Sequence, residues 1–271
     1  MIQLRTGLIP VLFFLLLITS LLSTRAVMAE VLPSIAIVID DMGKRYANGE
    51  RVINLPGAVT CSFLPHASYT RQLAENAYIM NKEVMLHLPM QSIHSVTLDE
   101  GALTLDMSQL DVNWMVKHDL AAVPYVSGVN NHMGSLLTQH PGHMLWVMTQ
   151  LQEKGDFFFL DSRTTAESVA RQVAENTGLR NAERNIFLDN DIDHDAIEKQ
   201  LWRLIARAKR NGTAIAIGHP YRETLDVLEK YLPDLNTMGI RLVTVSEIID
   251  IQQENTRWQA SLSQSRKAVK N

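Results

Sequence analysis

The chain has 271 residues, a formal net charge of −4 and a single cysteine. That balance gives no basic footprint for phosphates, which excludes nucleic acid as a partner class. Cys61 lies alone in an apolar run, so no internal disulfide can form, and the residue reads as a small buried apolar group.

The first segment carries Arg5, an apolar run from Leu8 to Leu22 and then Ala26-Val27-Met28-Ala29, the pattern of a signal peptide over residues 1–29 with cleavage before Glu30. An uncleaved anchor is the alternative, because the run approaches membrane-spanning length. Cleavage predicts export to a periplasm or cell envelope with no stable membrane insertion afterwards. Residues 30–251 then form one α/β domain, and 252–271 a polar tail that is peripheral or disordered.

Short apolar runs, many of them β-branched, predict strands at Ile35–Asp40, Val59–Pro65, Val84–Pro89, Tyr125–His132, Phe157–Asp161, Ile186–Asp189, Ala214–His219 and Ile240–Val245. Helical periodicity fills the gaps. Met144, Leu145, Val147, Met148 and Leu151 make one apolar stripe, and Ala196–Lys209 makes another, opened by Asp193 or Asp195 as its cap. Strand and helix alternating seven or eight times predicts an incomplete or complete (β/α) barrel. An open doubly wound sheet fits less well, since no Gly-rich phosphate turn follows the first strand. The polar connection Gln91–Thr104 is long enough to reach over a site.

Parallel β/α folds collect their chemistry at the C-terminal ends of strands. The residues ending the runs here are Asp40-Asp41, His87, Asn130-Asn131-His132, Asp161, Asp189 with Asp191, and His219. Singly, each has a structural explanation: the aspartates suit helix caps and turns, and the histidines suit hydrogen-bonded loop positions. Around one barrel mouth they instead make a metal site of carboxylates and imidazoles. His94 is a reserve ligand near His87. No HExxH, GxSxG or CxxC motif is present. A glycosidase reading of Asp40-Asp41 needs a second carboxylate, for which Asp161 is the candidate, because neighbouring strand residues point to opposite faces unless the strand end twists.

In order along the chain, Ile37-Val38-Ile39-Asp40-Asp41-Met42-Gly43, Glu83-Val84-Met85-Leu86-His87-Leu88-Pro89-Met90, Gly128-Val129-Asn130-Asn131-His132-Met133-Gly134-Ser135, Phe159-Leu160-Asp161-Ser162 and Ala216-Ile217-Gly218-His219-Pro220 resemble the five motifs of the divergent polysaccharide deacetylases. The resemblance implies a distorted (β/α) barrel of about seven strands, one divalent metal ion, usually zinc, and removal of N- or O-acetyl groups from a glycan. It implies Asp40 as general base, Asp41 and His87 as metal ligands and His219 as catalytic acid, with the family's fourth-motif role falling on Asp161. The family's second histidine ligand is replaced by Gln91, and the motif arginine that pairs with the fourth-motif aspartate is replaced by Asn130. His132 is the inferred third ligand, and a backbone N–H near Met133 is a candidate for oxyanion stabilisation. The rival expectation is a catalytically degenerate, metal-retaining glycan-binding or structural envelope protein. A metal-dependent phosphoesterase ranks third, because strand ends lack phosphate-clamping arginines.

Overall fold

The computed structural model describes residues 32–94 and 96–268. The expected signal segment lies outside them. In chain order the elements are β1 (Ser34–Met42), α1 (Tyr46–Ile53), β2 (Thr60–Phe63), α2 (Thr70–Ile79), β3 (Val84–Met90), α3 (Gln109–Ala122), β4 (Val126–Met133), α4 (Pro141–Lys154), β5 (Phe158–Asp161), α5 (Ala170–Thr177), β6 (Arg180–Glu183), β7 (Ile186–Phe187), α6 (His194–Asn211), β8 (Thr213–Gly218), α7 (Arg222–Tyr231), β9 (Arg241–Leu242) and α8 (Val245–Ala268).

All strand pairings are parallel, in the order β6-β5-β4-β3-β2-β1-β8-β7, with β9 added beside the start of β1. The two ends of that path are neighbours in the chain. Only Arg184 and Asn185 separate β6 from β7; the Arg184 N–H donates to Asp161 on β5 at 2.9 Å, and the Asn185 N–H donates to Ile215 on β8 at 2.9 Å. One extended segment therefore leaves β5 and joins β8, which curls the sheet into a distorted (β/α) barrel.

Side-chain alternation sorts the strand residues into two layers. Ile35, Ile37 and Ile39 pack outward with Leu86, Leu88, Val129 and Phe159 under the helices, including Met144, Val147, Met148 and Leu151 of the α4 stripe. Leu145, at the edge of that stripe, is exposed. Ala36, Val38, Met85, Phe158, Leu160, Ile215 and Ile217 form a second cluster inside the barrel. Val245, Ile248 and Ile249 from the first turns of α8 join that inner cluster, so the helix plugs the N-terminal end of the barrel and leaves the opposite end for chemistry.

Local signals place the helices. Ser108 and Asp111 form a reciprocal capping box at α3. Of the two expected caps for α6, Asp193 serves: its Oδ1 accepts from the Asp195 and Ala196 N–H groups at 3.0 and 3.1 Å. The polar segment after Ile251 is helical, as α8 runs on to Ala268, with residues 254–261 exposed. The strand at Arg180–Glu183 was not expected, because an Arg-Asn-Ala-Glu string has neither the alternation nor the apolar content of a strand.

Candidate metal and catalytic centre

The alternation that builds the core also aims the site. On β1, Asp40 shares the inward face with Ala36 and Val38; on β3, His87 shares it with Met85; on β4, Asn130 lies beside His87 in register. Asp41 should then point outward. Two features turn it in: the β1–β2 register shifts between Ile39 and Met42, and the Asp41 backbone takes a left-handed conformation with φ +55°. Aspartate tolerates that region better than most residues, at a small cost in strain. Both carboxylates consequently reach one imidazole, with His87 Nε2 3.6 Å from Asp40 Oδ2 and 3.4 Å from Asp41 Oδ1.

His132 completes the cluster. Its Nδ1 lies 3.1 Å from Asp41 Oδ1 and 3.1 Å from His87 Nε2, with the two rings edge to face at 4.8 Å. Three donor atoms thus stand 3.1–3.4 Å apart, close to the edge of about 3.3 Å expected for a tetrahedron with metal–ligand bonds of about 2.05 Å. Asp41 Oδ1 is buried and accepts no well-aligned hydrogen bond despite its two near nitrogens, which suits a ligand atom. Burial works to raise the Asp41 pKa, but the imidazoles of His132 and His87 outweigh it and hold this carboxyl well below the usual range. The N,N,O donor set fits a divalent ion of borderline softness.

Asn130 organises the groups behind that triad. It is fully buried; its Nδ2 donates to Asp40 Oδ1 at 2.9 Å and to Ser162 Oγ at 3.2 Å, while its Oδ1 accepts from Ser62 Oγ at 2.6 Å and faces His87 Nδ1 at 2.9 Å. An ionised carboxylate can only accept, so the amide must turn its NH2 toward Asp40 and its oxygen toward His87. His87 then carries its proton on Nδ1 and presents the Nε2 lone pair to the cluster.

On the other wall stands His219. Its Nδ1 is 3.0 Å from Asp189 Oδ1, and Asp189 Oδ2 accepts from the His219 N–H and from Thr224 Oγ1. Burial lowers the pKa of this imidazole, yet the hydrogen bond and charge of Asp189, with Asp40 and Asp41 behind, raise it above its ordinary value. His219, Tyr221, Asp41, Lys44 and Asn48 wall one cleft of about 210 Å³. Asn48 fixes the loop by donating to the Pro220 carbonyl at 2.8 Å.

Two expected site positions are placed elsewhere. Phe158 and Leu160 face inward on β5, so Asp161 falls on the outer face; its oxygens accept from the Arg163 N–H at 2.8 Å and Ser168 Oγ at 2.7 Å, and it joins no member of the cluster. Ser162, the next residue, has the inward parity and touches Asn130. Gln91 is structural: its Oε1 accepts from the Leu105 N–H at 2.8 Å and its N–H donates to the Leu103 carbonyl at 2.9 Å, tying together both ends of the β3–α3 connection. His94, the reserve ligand, is exposed in that connection and absent from the cluster. The connection does reach the site through Asp99, whose Oδ2 lies 2.9 Å from His132 Nε2. Ser62, Asp99, Ser162 and Thr224 carried no sequence signal of their own; only Asp189 could be found, as a strand-terminal carboxylate.

Comparisons with known proteins agree with this architecture. The chain is 38% identical over 201 residues to an uncharacterised protein of Haemophilus influenzae, covering 74% of this chain and 71% of that one. It is 36% identical over 222 residues to the uncharacterised protein YibQ of Escherichia coli, covering 82% and 69%. Among solved structures, an uncharacterised protein of Agrobacterium tumefaciens superposes with a TM-score of 0.77 at 21% identity, covering 80% of this chain and 89% of that one. A peptidoglycan deacetylase of Bacillus subtilis shares the fold at a TM-score of 0.52 and 14% identity, over 85% and 97% of the two chains. Residues 37–249 match the sequence profile of the divergent polysaccharide deacetylases, and the chain belongs to that family.

Proposed function

We propose that this protein is a metal-dependent hydrolase that removes N- or O-acetyl groups from a cell-envelope polysaccharide, acting after export. One observation carries the reading: a three-donor cluster of Asp41, His87 and His132 is flanked by a buried carboxylate on one side and an Asp-backed imidazole in the adjoining cleft. Such an ion, zinc being the best match to the donor set, would be held by Asp41 Oδ1, His87 Nε2 and His132 Nδ1 and would polarise an acyl carbonyl and acidify a water.

The remaining chemistry belongs to the chain. Asn130 holds one oxygen of Asp40, leaving Oδ2 directed at the cluster to take a proton from the attacking water. Asp189 orients His219 and favours its protonated form, from which a proton can pass to the departing amine or hydroxyl. Acceptor and donor are then two different groups, an Asn130-held carboxylate and an Asp189-backed imidazole, which separates roles that two bare carboxylates could not divide.

Acetate release from N- and O-acetylated glycans tests this directly. Asp40→Asn and His219→Ala are expected to lose at least about 100-fold in kcat while retaining metal. A second reading is favoured by Gln91, which is tied into the loop where the family pattern has a ligand: a metal-retaining glycan-binding protein without turnover. Full metal content and glycan binding with no acetate release from any acetylated glycan would establish that alternative.

A further inference from the structure

The β3–α3 connection is anchored at both ends. A parallel bridge joins Met90 to Leu103, the Leu103 N–H donates to the Pro89 carbonyl at 2.9 Å, and Gln91 holds Leu105. Between these anchors the chain carries Asp99 back over the barrel mouth, where Asp99 Oδ2 lies 2.9 Å from His132 Nε2 and 3.4 Å from Lys44 Nζ. Lys44 also lies 3.9 Å from Asp41 Oδ2. Asp99 is not among the three donors whose ligand atoms converge, so it stands behind His132 rather than beside it.

The imidazole of His132 has one nitrogen in the cluster and one facing this carboxylate. Nε2 is buried and has no well-aligned hydrogen bond, so Asp99 is its one acidic neighbour within ion-pair distance among the described residues. When Nδ1 gives its lone pair to a metal ion, the neutral ring must carry its proton on Nε2, and a buried N–H needs an acceptor. Histidine ligands ordinarily pass their second N–H to a carboxylate or carbonyl, which fixes the tautomer and makes the ligand more basic. For His87 that acceptor is Asn130, a neutral amide on the barrel wall. For His132 the remaining acceptor is a charged group delivered by a loop.

We propose that Asp99 is a positioning residue for the metal centre: through His132 Nε2 it fixes the ring with Nδ1 facing the ion, so that metal retention depends on the β3–α3 connection. This rests on the metal reading above but assigns a role to a residue outside the three-ligand set. It also gives Gln91 a function in place of ligation, since the side chain that ties down the loop keeps Asp99 over His132.

The test is zinc affinity of the purified chain, measured by competition with a chromophoric chelator, alongside thermal unfolding of the metal-free protein. Asp99→Ala is expected to weaken zinc about 10–100-fold while the metal-free unfolding temperature stays within about 2 °C of the parent. Asp99→Asn, which keeps an acceptor oxygen but not the charge, should fall between the two. Cobalt substituted for zinc should show an altered visible spectrum in Asp99→Ala at saturating metal, because the His132 donor changes while a loop merely loosened elsewhere would leave it alone. Zinc affinity within twofold of the parent, or an unchanged cobalt spectrum at saturation, would overturn the role of Asp99. If the parent itself binds zinc no better than Asp41→Ala, the metal reading falls and this proposal with it. Weakened zinc in Asp99→Ala, in a protein that releases no acetate, upholds Asp99 and sinks only the hydrolase reading.

Discussion

Asn130→Asp is the most informative single change at the centre, because it alters one atom in a group of fully buried hydrogen bonds. The amide NH2 that donates to Asp40 Oδ1 at 2.9 Å becomes an oxygen facing an oxygen. With both carboxyls ionised, two unit charges at that distance repel by about 6 kcal/mol at an effective dielectric constant of about 20. Protonating the introduced carboxyl avoids the repulsion and restores a donor toward Asp40. At pH 7 that proton costs about 4 kcal/mol, from a reference pKa near 3.9 and about 1.4 kcal/mol per pH unit. Protonation is the cheaper route, so the variant should be destabilised by about 4 kcal/mol at pH 7 and only about 1.5 kcal/mol at pH 5. The sign follows from linkage: the folded variant binds a proton that its unfolded chain has released, so its stability relative to the parent falls as pH rises above about 4. Urea unfolding of both proteins in chelator, at pH 5, 6 and 7, measures the difference. A penalty that does not change with pH, or one below about 1 kcal/mol at pH 7, would refute the placement of the Asn130 amide against an ionised Asp40.

Zinc at about 100 times its dissociation constant should stabilise the fold by about 2.7 kcal/mol, raising the unfolding temperature by about 5–11 °C, and Asp41→Ala should abolish that rise in a thermal melt. Asp189→Asn removes the charge that raises the His219 pKa, so the alkaline limb of the pH–rate profile, where the protonated acid is lost, should move to lower pH. Glu83→Ala should cost about 1–3 kcal/mol in denaturant with zinc affinity unchanged, because its carboxylate accepts from the Val245 and Ser246 N–H groups at 2.8 and 3.2 Å and from Thr60 Oγ1 at 2.9 Å, capping α8 from the far end of the barrel.

How much of this was legible in the sequence depends on which physical signal each part leaves. Eight strands announced themselves because a buried parallel strand needs a near-continuous apolar run. β6 did not, because it is the edge strand beside β5, mostly of intermediate burial, and its residues serve other ends: Arg180 pairs with Asp250 and Asp156, and Glu183 with Arg171 and Arg163. Asp161 shows the reverse. A carboxylate ending an apolar run looks the same whichever way it points, and a one-residue change of parity separates a base in the cavity from a turn residue outside it. Asp41 escaped the same rule only because a register shift and a left-handed backbone turn it inward, and neither is written in the residues Asp-Asp-Met-Gly alone. Asp99 left no trace at all, since a carboxylate in a polar loop is what any solvated loop contains.

The replaced family positions therefore read differently in three dimensions than in order along the chain. An arginine at position 130 would put a charge beside Asp40; an asparagine there supplies a hydrogen bond without charge, and its other end orders His87, so both side chains are set by one amide. A histidine at position 91, just beyond β3, would take the family's ligand place; a glutamine there fastens the loop that carries Asp99 to His132. Each substitution removes a direct charge or ligand and adds an indirect constraint on a group that remains. A decayed site has no reason to keep such constraints together: buried polar groups that no longer serve a purpose cost stability until apolar residues replace them. Here Ser62, Asn130, Ser162 and Asp40 are all buried in the barrel with partners satisfied, and the orphaned atoms at the centre, Asp41 Oδ1 and His132 Nε2, are those that a bound ion and its supporting carboxylate would engage. That pattern favours a rebuilt metal centre over a vestigial one.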